Sequence, residues 1–151
     1  MGWFALLSAA LPGWRLVGAA VSEPWTAAQT VQPAQFAMEL QQEKDPSPTV
    51  IYVGVKTLYA GGHIPGAVFY GPGSTEQGIS DLKKYAATLP KNSDVVLYCG
   101  CCPLEKCPNL RPAFSALQNM GFARLRVLIL PNSFNDDWVS QGYPIHKGET
   151  P

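Results

Sequence analysis

Short β-branched runs alternate with amphipathic segments along the chain, and this alternation predicts the elements of an α/β domain. Residues 49–55, 94–98 and 126–130 are rich in valine, isoleucine and leucine and lack a helical period, which is typical of buried strands. Residues 33–40 and 110–120 carry apolar side chains at helical spacing and predict helices. Because strands and helices alternate, the pattern predicts a parallel sheet with helices packed on it.

Local signals refine the ends of these elements. Asn109 can cap the start of the helix over residues 110–120, and Gly121 can adopt the left-handed conformation after its end. Asp136 and Asp137 are typical of a further helix start, where they would act as capping residues rather than catalytic ones. Trp138 beside them is expected in the core.

The first 22 residues differ from the rest of the chain. Arg15 is their one charged side chain, and residues 4–11 form an apolar run of signal-peptide length that is too short to span a bilayer. We expect residues 1–22 to be an export signal or an N-terminal membrane anchor, with an amphipathic helix packed on the domain as the third alternative. Export would place the protein in the periplasm or outside the cell. The remaining chain is then expected to comprise a linker, a folded domain and a tail, over residues 23–32, 33–147 and 148–151.

Composition narrows the class of function. The chain has 151 residues, enough for one domain with a hydrophobic core, and 46% of them are hydrophobic while 15% are charged. The 11 basic residues balance the 11 acidic ones, so the net charge is zero. A neutral chain has no field that attracts nucleic acid, and we expect no nucleic-acid partner.

The four cysteines fall within nine residues and indicate a local site. Cys99, Cys101, Cys102 and Cys107 follow the strand over residues 94–98 directly and precede the helix that begins near Leu110. In parallel α/β sheets, ligands bind at the carboxyl ends of the strands, and a helix N-terminus there stabilises an anion. The position therefore predicts a low-pKa thiolate at Cys99 that can act as a nucleophile.

Several short motifs resemble those of rhodanese-like domains, and they occur in the order typical of that family. These are the sequence Gly-His-Ile-Pro-Gly-Ala at residues 62–67, the strand that ends in Tyr98-Cys99, the Met-Gly-Phe of residues 120–122, the strand at 127–130, Trp138, and Gly-Tyr-Pro-Ile at 142–145. The resemblance implies a three-layer sandwich whose central, mainly parallel sheet is flanked by helices. It also implies that Cys99 takes a sulfane sulfur from a small anion such as thiosulfate, forms a persulfide and passes the sulfur to a thiol or another thiophilic acceptor. No cofactor is expected, and His63 is expected to belong to a structural turn.

The active-site region departs from the family pattern in two places. The usual strand motif Asp-Val-Arg is Tyr52-Val53-Gly54 here, and the loop that follows Cys99 is longer than in simple sulfurtransferases. Glu105 stands where a phosphatase relative would need arginine, so phosphate is disfavoured as a substrate. The candidate residues for binding the sulfur donor are Gly100, Cys101, Cys102, Lys106 and Arg111.

The three additional cysteines leave alternatives open. Cys101, Cys102 or Cys107 can resolve an oxidised Cys99 in a redox relay that would need a redox partner protein, or Cys102 and Cys107 can form a structural disulfide. All four cysteines can instead bind a metal, although their spacing is unlike the paired Cys-x-x-Cys units of zinc sites. Cys107 is expected in either disulfide because Pro103 and Pro108 bend the loop. The rival to an enzyme is thus a non-catalytic thiol or metal-binding module.

Overall fold

The computed structural model describes residues 22–151. The export signal or anchor expected over residues 1–22 lies outside the described residues, apart from Ser22. Among the helices of the described part, none is long and apolar enough to cross a membrane.

Five parallel strands form one central sheet in the order β1-β5-β4-β2-β3. In chain order, the strands and α-helices are β1 (Thr30–Val31), α1 (Pro33–Gln41), β2 (Thr49–Tyr52), α2 (Lys56–Gly61), β3 (Val68–Phe69), α3 (Glu76–Ala86), β4 (Asp94–Tyr98), α4 (Leu110–Asn119), β5 (Arg124–Leu128) and α5 (Phe134–Asp137). Short 3-10 turns occur at Ala27–Gln29, Leu104–Lys106 and Val139–Gln141. The expected α/β fold with a parallel sheet flanked by helices is confirmed.

Alternating strand residues serve two separate cores, one on each face of the sheet. Val95 and Leu97 of β4 pack with the buried side chains of α3 and α4, whereas Val96 and Tyr98 pack with those of α1 and α2. Both faces of β4 are thus covered, and for this reason its sequence is a continuous apolar run. The result is three layers, with β4 in the middle of the sheet.

The segment over residues 23–32 is part of the domain, which corrects the linker expectation. Trp25 is buried against Phe114 in an edge-to-face contact, with ring centroids 5.5 Å apart. Thr30 and Val31 pair with β5 and form an edge strand of the sheet. Neither contact could be predicted from the polar sequence of this segment, because a two-residue strand and a single tryptophan produce no hydrophobic periodicity.

Two strands differ from their predicted bounds. β2 ends at Tyr52 rather than at residue 55, and β5 spans Arg124–Leu128 rather than residues 126–130. Arg124 and Arg126 alternate with buried Leu125 and Val127, so the strand begins before the apolar run that predicted it. The register of β2 on β4 sets Tyr52 beside Tyr98, which brings the chain after both strands to the same edge of the sheet.

Candidate active site at the end of the central strand

Cys99 follows β4 directly and lines an open cavity of about 540 Å³ at the carboxyl edge of the sheet. Its side chain is almost fully buried. Gly100 next to it adopts a φ of +75°, and its carbonyl accepts a hydrogen bond of 3.0 Å from the Phe134 amide. A Cβ at Gly100 would lie 2.6 Å from Cβ of Phe134, so the turn that aims Cys99 requires glycine.

Three sulfur atoms form a compact group at this turn, which we call the thiol cluster: Sγ of Cys99, Cys101 and Cys107. All three lie within 4.8 Å of one another, and the sulfurs of Cys99 and Cys101 are 3.0 Å apart. Cys102 adjoins the cluster, with its sulfur 3.4 Å from that of Cys101. All four are free thiols, so the Cys102–Cys107 disulfide, one of the three alternatives that the sequence left open, is not formed in this structure.

Cys107 is the thiol with the lowered pKa, which differs from the expectation for Cys99. Its interaction with the Cys99 side chain lowers the pKa of Cys107 to about 5 in spite of its burial, and the backbone amides of Asn109 and Leu110 act in the same direction. These amides belong to the start of α4, where unpaired N–H groups favour an anion. The same pairing with Cys107, together with burial, raises the pKa of Cys99 well above its ordinary value. The Cys99 side chain and the start of α4 therefore both favour the thiolate form of Cys107, whereas the pairing with Cys107 and burial favour the thiol form of Cys99.

Tyr52 and Gly54, the residues that replace the usual acid and base of the family motif, both border Cys99. A Cβ built on Gly54 would lie 2.5 Å from the Tyr52 hydroxyl oxygen and 2.9 Å from the Cys99 sulfur. The Tyr52 hydroxyl is buried and has no hydrogen-bond partner among the described residues. Burial raises the pKa of Tyr52, and the charges of the three cluster sulfurs raise it further. The Tyr52 phenol is therefore neutral and lies beside Cys99.

Asn109 connects the thiol cluster to the neighbouring loop instead of capping α4. Its side-chain amide nitrogen lies 3.5 Å from the sulfurs of both Cys99 and Cys101 and donates to them. Its side-chain oxygen accepts a hydrogen bond of 3.0 Å from the Ser74 amide. The predicted cap bond is absent, because the buried side chain turns towards the sulfurs. Gly121 does adopt the expected left-handed conformation, with φ of +87°.

The predicted donor-binding residues divide into two groups. Gly100 and Cys101 line the cavity, whereas Cys102, Lys106 and Arg111 are not among its lining residues. Arg111 instead binds the Glu23 carboxylate through two hydrogen bonds of 2.6 and 2.9 Å, and its third nitrogen donates to the carbonyls of Leu104 and Cys107. Its positive charge therefore holds the loop in place rather than facing the cavity.

Lys147 is the basic residue that lines the cavity, and no sequence pattern indicated it because it follows the last recognised motif. The lining also includes Leu58, Gly61, Gly62, Ser133, Phe134, Asn135, Val139 and Ile145. His63 lies outside the cavity, fully buried and stacked on Tyr59, with Nδ1 2.8 Å from the Tyr59 carbonyl. Such a packed histidine has the structural setting that was expected for it.

Asp136 and Asp137, the residues expected at a helix start, lie in the first turn of α5. Ser133 caps α5 by accepting from the Asp136 amide, and the Asp137 carboxylate accepts from the amides of Asn132 and Ser133. Trp138 is fully buried, as expected. Both aspartates therefore fix the turn that carries Phe134 to the mouth of the cavity.

Comparison with known proteins places these features in a family context. The sequence profile described as "Rhodanese-like domain" matches residues 33–137. A sequence search of curated proteins finds no match.

Solved structures share the fold at low sequence identity. The rhodanese-like domain from the Alr3790 protein of Anabaena sp. is 20% identical, with a TM-score of 0.58 and 80% of each chain covered. The BH2092 protein of Bacillus halodurans is 18% identical, with a TM-score of 0.61 and coverage of 80% of this chain and 77% of that one. A thiosulfate sulfurtransferase from Pseudomonas aeruginosa is 22% identical, with a TM-score of 0.55, and the match covers 80% of this chain but 20% of that one.

Proposed function

Because the chain belongs to the rhodanese-like domain family, we propose that it is a sulfurtransferase that carries a sulfane sulfur on Cys99. The observation that carries the proposal is the position of Cys99. This residue directly follows the central strand β4 and lines a cavity large enough for thiosulfate. The proposed donor is a small anion with a sulfane sulfur, and the acceptor is a thiol or another thiophilic group.

The first step is an attack by Cys99 on the outer sulfur of the donor. With thiosulfate, a bond forms between Cys99 Sγ and that sulfur, the sulfur–sulfur bond of thiosulfate breaks, and sulfite leaves with the electron pair. The Cys99 proton leaves with the sulfite, so the Cys99 thiol and thiosulfate become a Cys99 persulfide anion and hydrogen sulfite.

Groups around the cavity are suited to the anions of this reaction. Lys147 contributes positive charge at the cavity wall, and the Tyr52 hydroxyl and the Asn109 amide offer hydrogen bonds beside Cys99. Buried donors aimed at a developing charge stabilise it more than donors in water do, because they need no reorganisation. We propose that these groups stabilise the persulfide anion on Cys99.

Thiocyanate formation from thiosulfate and cyanide tests the proposal. The reduced wild-type protein is expected to catalyse it, and Cys99→Ser is expected to lower the rate to that of the uncatalysed reaction. Cys102→Ser is the matched control, because it removes a thiol from the same loop that does not line the cavity. Full activity in Cys99→Ser would disprove the role of Cys99 as nucleophile.

The thiol cluster also favours a second candidate function, a thiol module that binds a soft metal ion. Three sulfurs within 4.8 Å of one another, with Cys102 adjoining them, match the preference of copper(I) and zinc for thiolate ligands. Titration of the reduced protein with zinc or copper(I) separates the two candidates. Stoichiometric binding that is lost in Cys99→Ser, combined with no thiocyanate formation by the metal-free protein, would favour the metal-binding module.

A further inference from the structure

Cys107 approaches Cys99 from the protein interior, whereas a transferred sulfur would approach it from the cavity. Cys107 is buried and is not among the residues that line the cavity, yet its sulfur lies within 4.8 Å of Cys99 Sγ. A sulfane sulfur bound to Cys99 would occupy the cavity side, where the donor enters. Thiol–disulfide exchange proceeds by attack of one sulfur on another along the bond that breaks. Cys107 is therefore on the side from which the inner sulfur of a Cys99 persulfide can be attacked.

We propose that Cys107 resolves the Cys99 persulfide, forming a Cys99–Cys107 disulfide and releasing hydrosulfide into the cavity. The inference rests on the proposed sulfurtransferase function and names the chain's own thiol as the acceptor. The net activity is the reduction of sulfane sulfur to sulfide at the expense of an external dithiol.

The atoms and electrons of this step balance. Cys107 Sγ forms a bond to Cys99 Sγ, the bond between Cys99 Sγ and the outer sulfur breaks, and the outer sulfur leaves with the electron pair. The outer sulfur takes a proton from solvent before it leaves, so a neutral persulfide and the Cys107 thiolate become a disulfide and HS⁻. The two cysteine sulfurs are oxidised together by two electrons, and the sulfane sulfur is reduced by two.

Cys101 is less suited to the resolving role, although its sulfur lies 3.0 Å from that of Cys99. Cys101 lines the cavity, so its sulfur would stand beside the outer sulfur of the persulfide rather than behind the inner one. Attack on the outer sulfur moves it from one cysteine to another and releases no sulfide. A disulfide between residues 99 and 101 would also have to form across Gly100, whose turn is fixed by the Phe134 amide.

The disulfide must then be reduced to restore the enzyme. A dithiol that enters the cavity meets Cys99 Sγ first, and its attack there expels Cys107 as the leaving thiolate. The backbone amides of Asn109 and Leu110 hydrogen-bond the Cys107 sulfur and stabilise that anion. The partner is thus a small dithiol or a protein with an exposed dithiol.

A single-turnover experiment without any external thiol tests this inference. The full protein is reduced, freed of reductant and mixed with thiosulfate; released sulfide and the intact mass are followed, and disulfides are then mapped after alkylation. We expect about one equivalent of sulfide per chain and a mass about 2 Da below that of the reduced protein, with the bridge between Cys99 and Cys107. Cys107→Ser is expected to retain a persulfide, about 32 Da heavier, and to release less than a tenth as much sulfide.

The outcomes separate this inference from the proposed function. A wild-type protein that gains one sulfur but releases no sulfide would overturn the resolving role and leave the sulfurtransferase intact. A disulfide between Cys99 and either Cys101 or Cys102 would overturn the assignment to Cys107. This result comes from the wild-type protein alone and does not depend on the folding of a variant. A wild-type protein that releases no sulfide and keeps its reduced mass, together with a Cys107→Ser protein that gains no sulfur, would overturn the proposed function and this inference with it. Cys102→Ser is the control and is expected to release as much sulfide as wild type.

Discussion

Replacement of Gly54 by alanine tests whether the close approach of Tyr52 and Cys99 organises the site. The new Cβ would lie 2.5 Å from the hydroxyl oxygen of Tyr52, 2.7 Å from its Cζ and 2.9 Å from Cys99 Sγ. Ordinary contacts between carbon atoms are about 3.5–4.0 Å, so the ring or the thiol must move by about 1 Å. Neither can move freely, because the Tyr52 ring packs against those of Tyr59, Phe69 and Tyr98.

The expected size of the effect follows from this crowding. Overpacking of a buried site costs about 1–3 kcal/mol, so we expect a loss near 2 kcal/mol in the free energy of unfolding. For a chain of this length, that corresponds to a fall in Tm of roughly 4–8 °C. A displacement of about 1 Å at the nucleophile is expected to lower the rate of sulfur loading about 100-fold.

Thermal unfolding and thiosulfate-dependent sulfur loading of the purified variant measure both effects. Gly61→Ala is the control for stability, because no atom lies within 4 Å of its new Cβ, and we expect a change within about 0.5 kcal/mol. Adding Tyr52→Phe to Gly54→Ala removes the nearest atom, so the double variant should lose at least about 0.5 kcal/mol less than the sum of the two single changes. A Gly54→Ala protein with the Tm and loading rate of wild type would refute the reasoning.

Three further predictions concern the surroundings of the thiol cluster. Tyr52→Phe removes a buried hydroxyl that has no hydrogen-bond partner among the described residues. The free energy of unfolding, measured in urea, should therefore stay unchanged or rise by up to about 1 kcal/mol. A loss of more than about 1 kcal/mol would contradict this prediction. Arg111→Met should destabilise the protein by about 1–3 kcal/mol in the same assay. The loss should exceed that of Glu23→Gln, because Arg111→Met also removes the hydrogen bonds to the carbonyls of Leu104 and Cys107. Equal losses in the two variants would show that the ion pair alone contributes to stability. The folded-state pKa of Cys107 is lowered from 9.0 to about 5. Ionisation of Cys107 therefore stabilises the folded protein, and this stabilisation is fully present above pH 9 and is lost as the pH falls to about 5. The reduced wild-type protein should therefore gain stability between pH 5.5 and 8, by no more than about 1.4 kcal/mol per pH unit, and Cys107→Ala should lose this gain; an unaltered slope in the variant would assign it to other groups.

The elements around the site were predictable where the local pattern is strong. The bounds of β4 agree with the apolar run over residues 94–98, because both faces of that strand are buried. α4 agrees to within one residue, because its buried side chains recur at helical spacing. α3 was not predicted, although Thr75 caps it and Gly78, Leu82 and Ala86 recur four residues apart, because small residues leave a weak apolar stripe.

The sequence by itself determined the fold class and the position of Cys99 at a strand end, since hydrophobic periodicity and short motifs are properties of neighbouring residues. It also indicated that the three other cysteines belong to the same loop. It did not determine which sulfurs meet, because that depends on how the loop folds back on the start of α4.

Only the tertiary structure decided which residues border Cys99. Tyr52, Asn109 and Lys147 come from distant parts of the chain, and the carboxyl edge of the parallel sheet brings them to one place. The structure also changed two expectations about charge. Arg111 holds the loop through Glu23, and the pKa of Cys107 rather than that of Cys99 is lowered, by the Cys99 side chain first and by the amides at the start of α4 second. The physical reason is that burial and charge pairing depend on separations in space, which the order of residues does not specify.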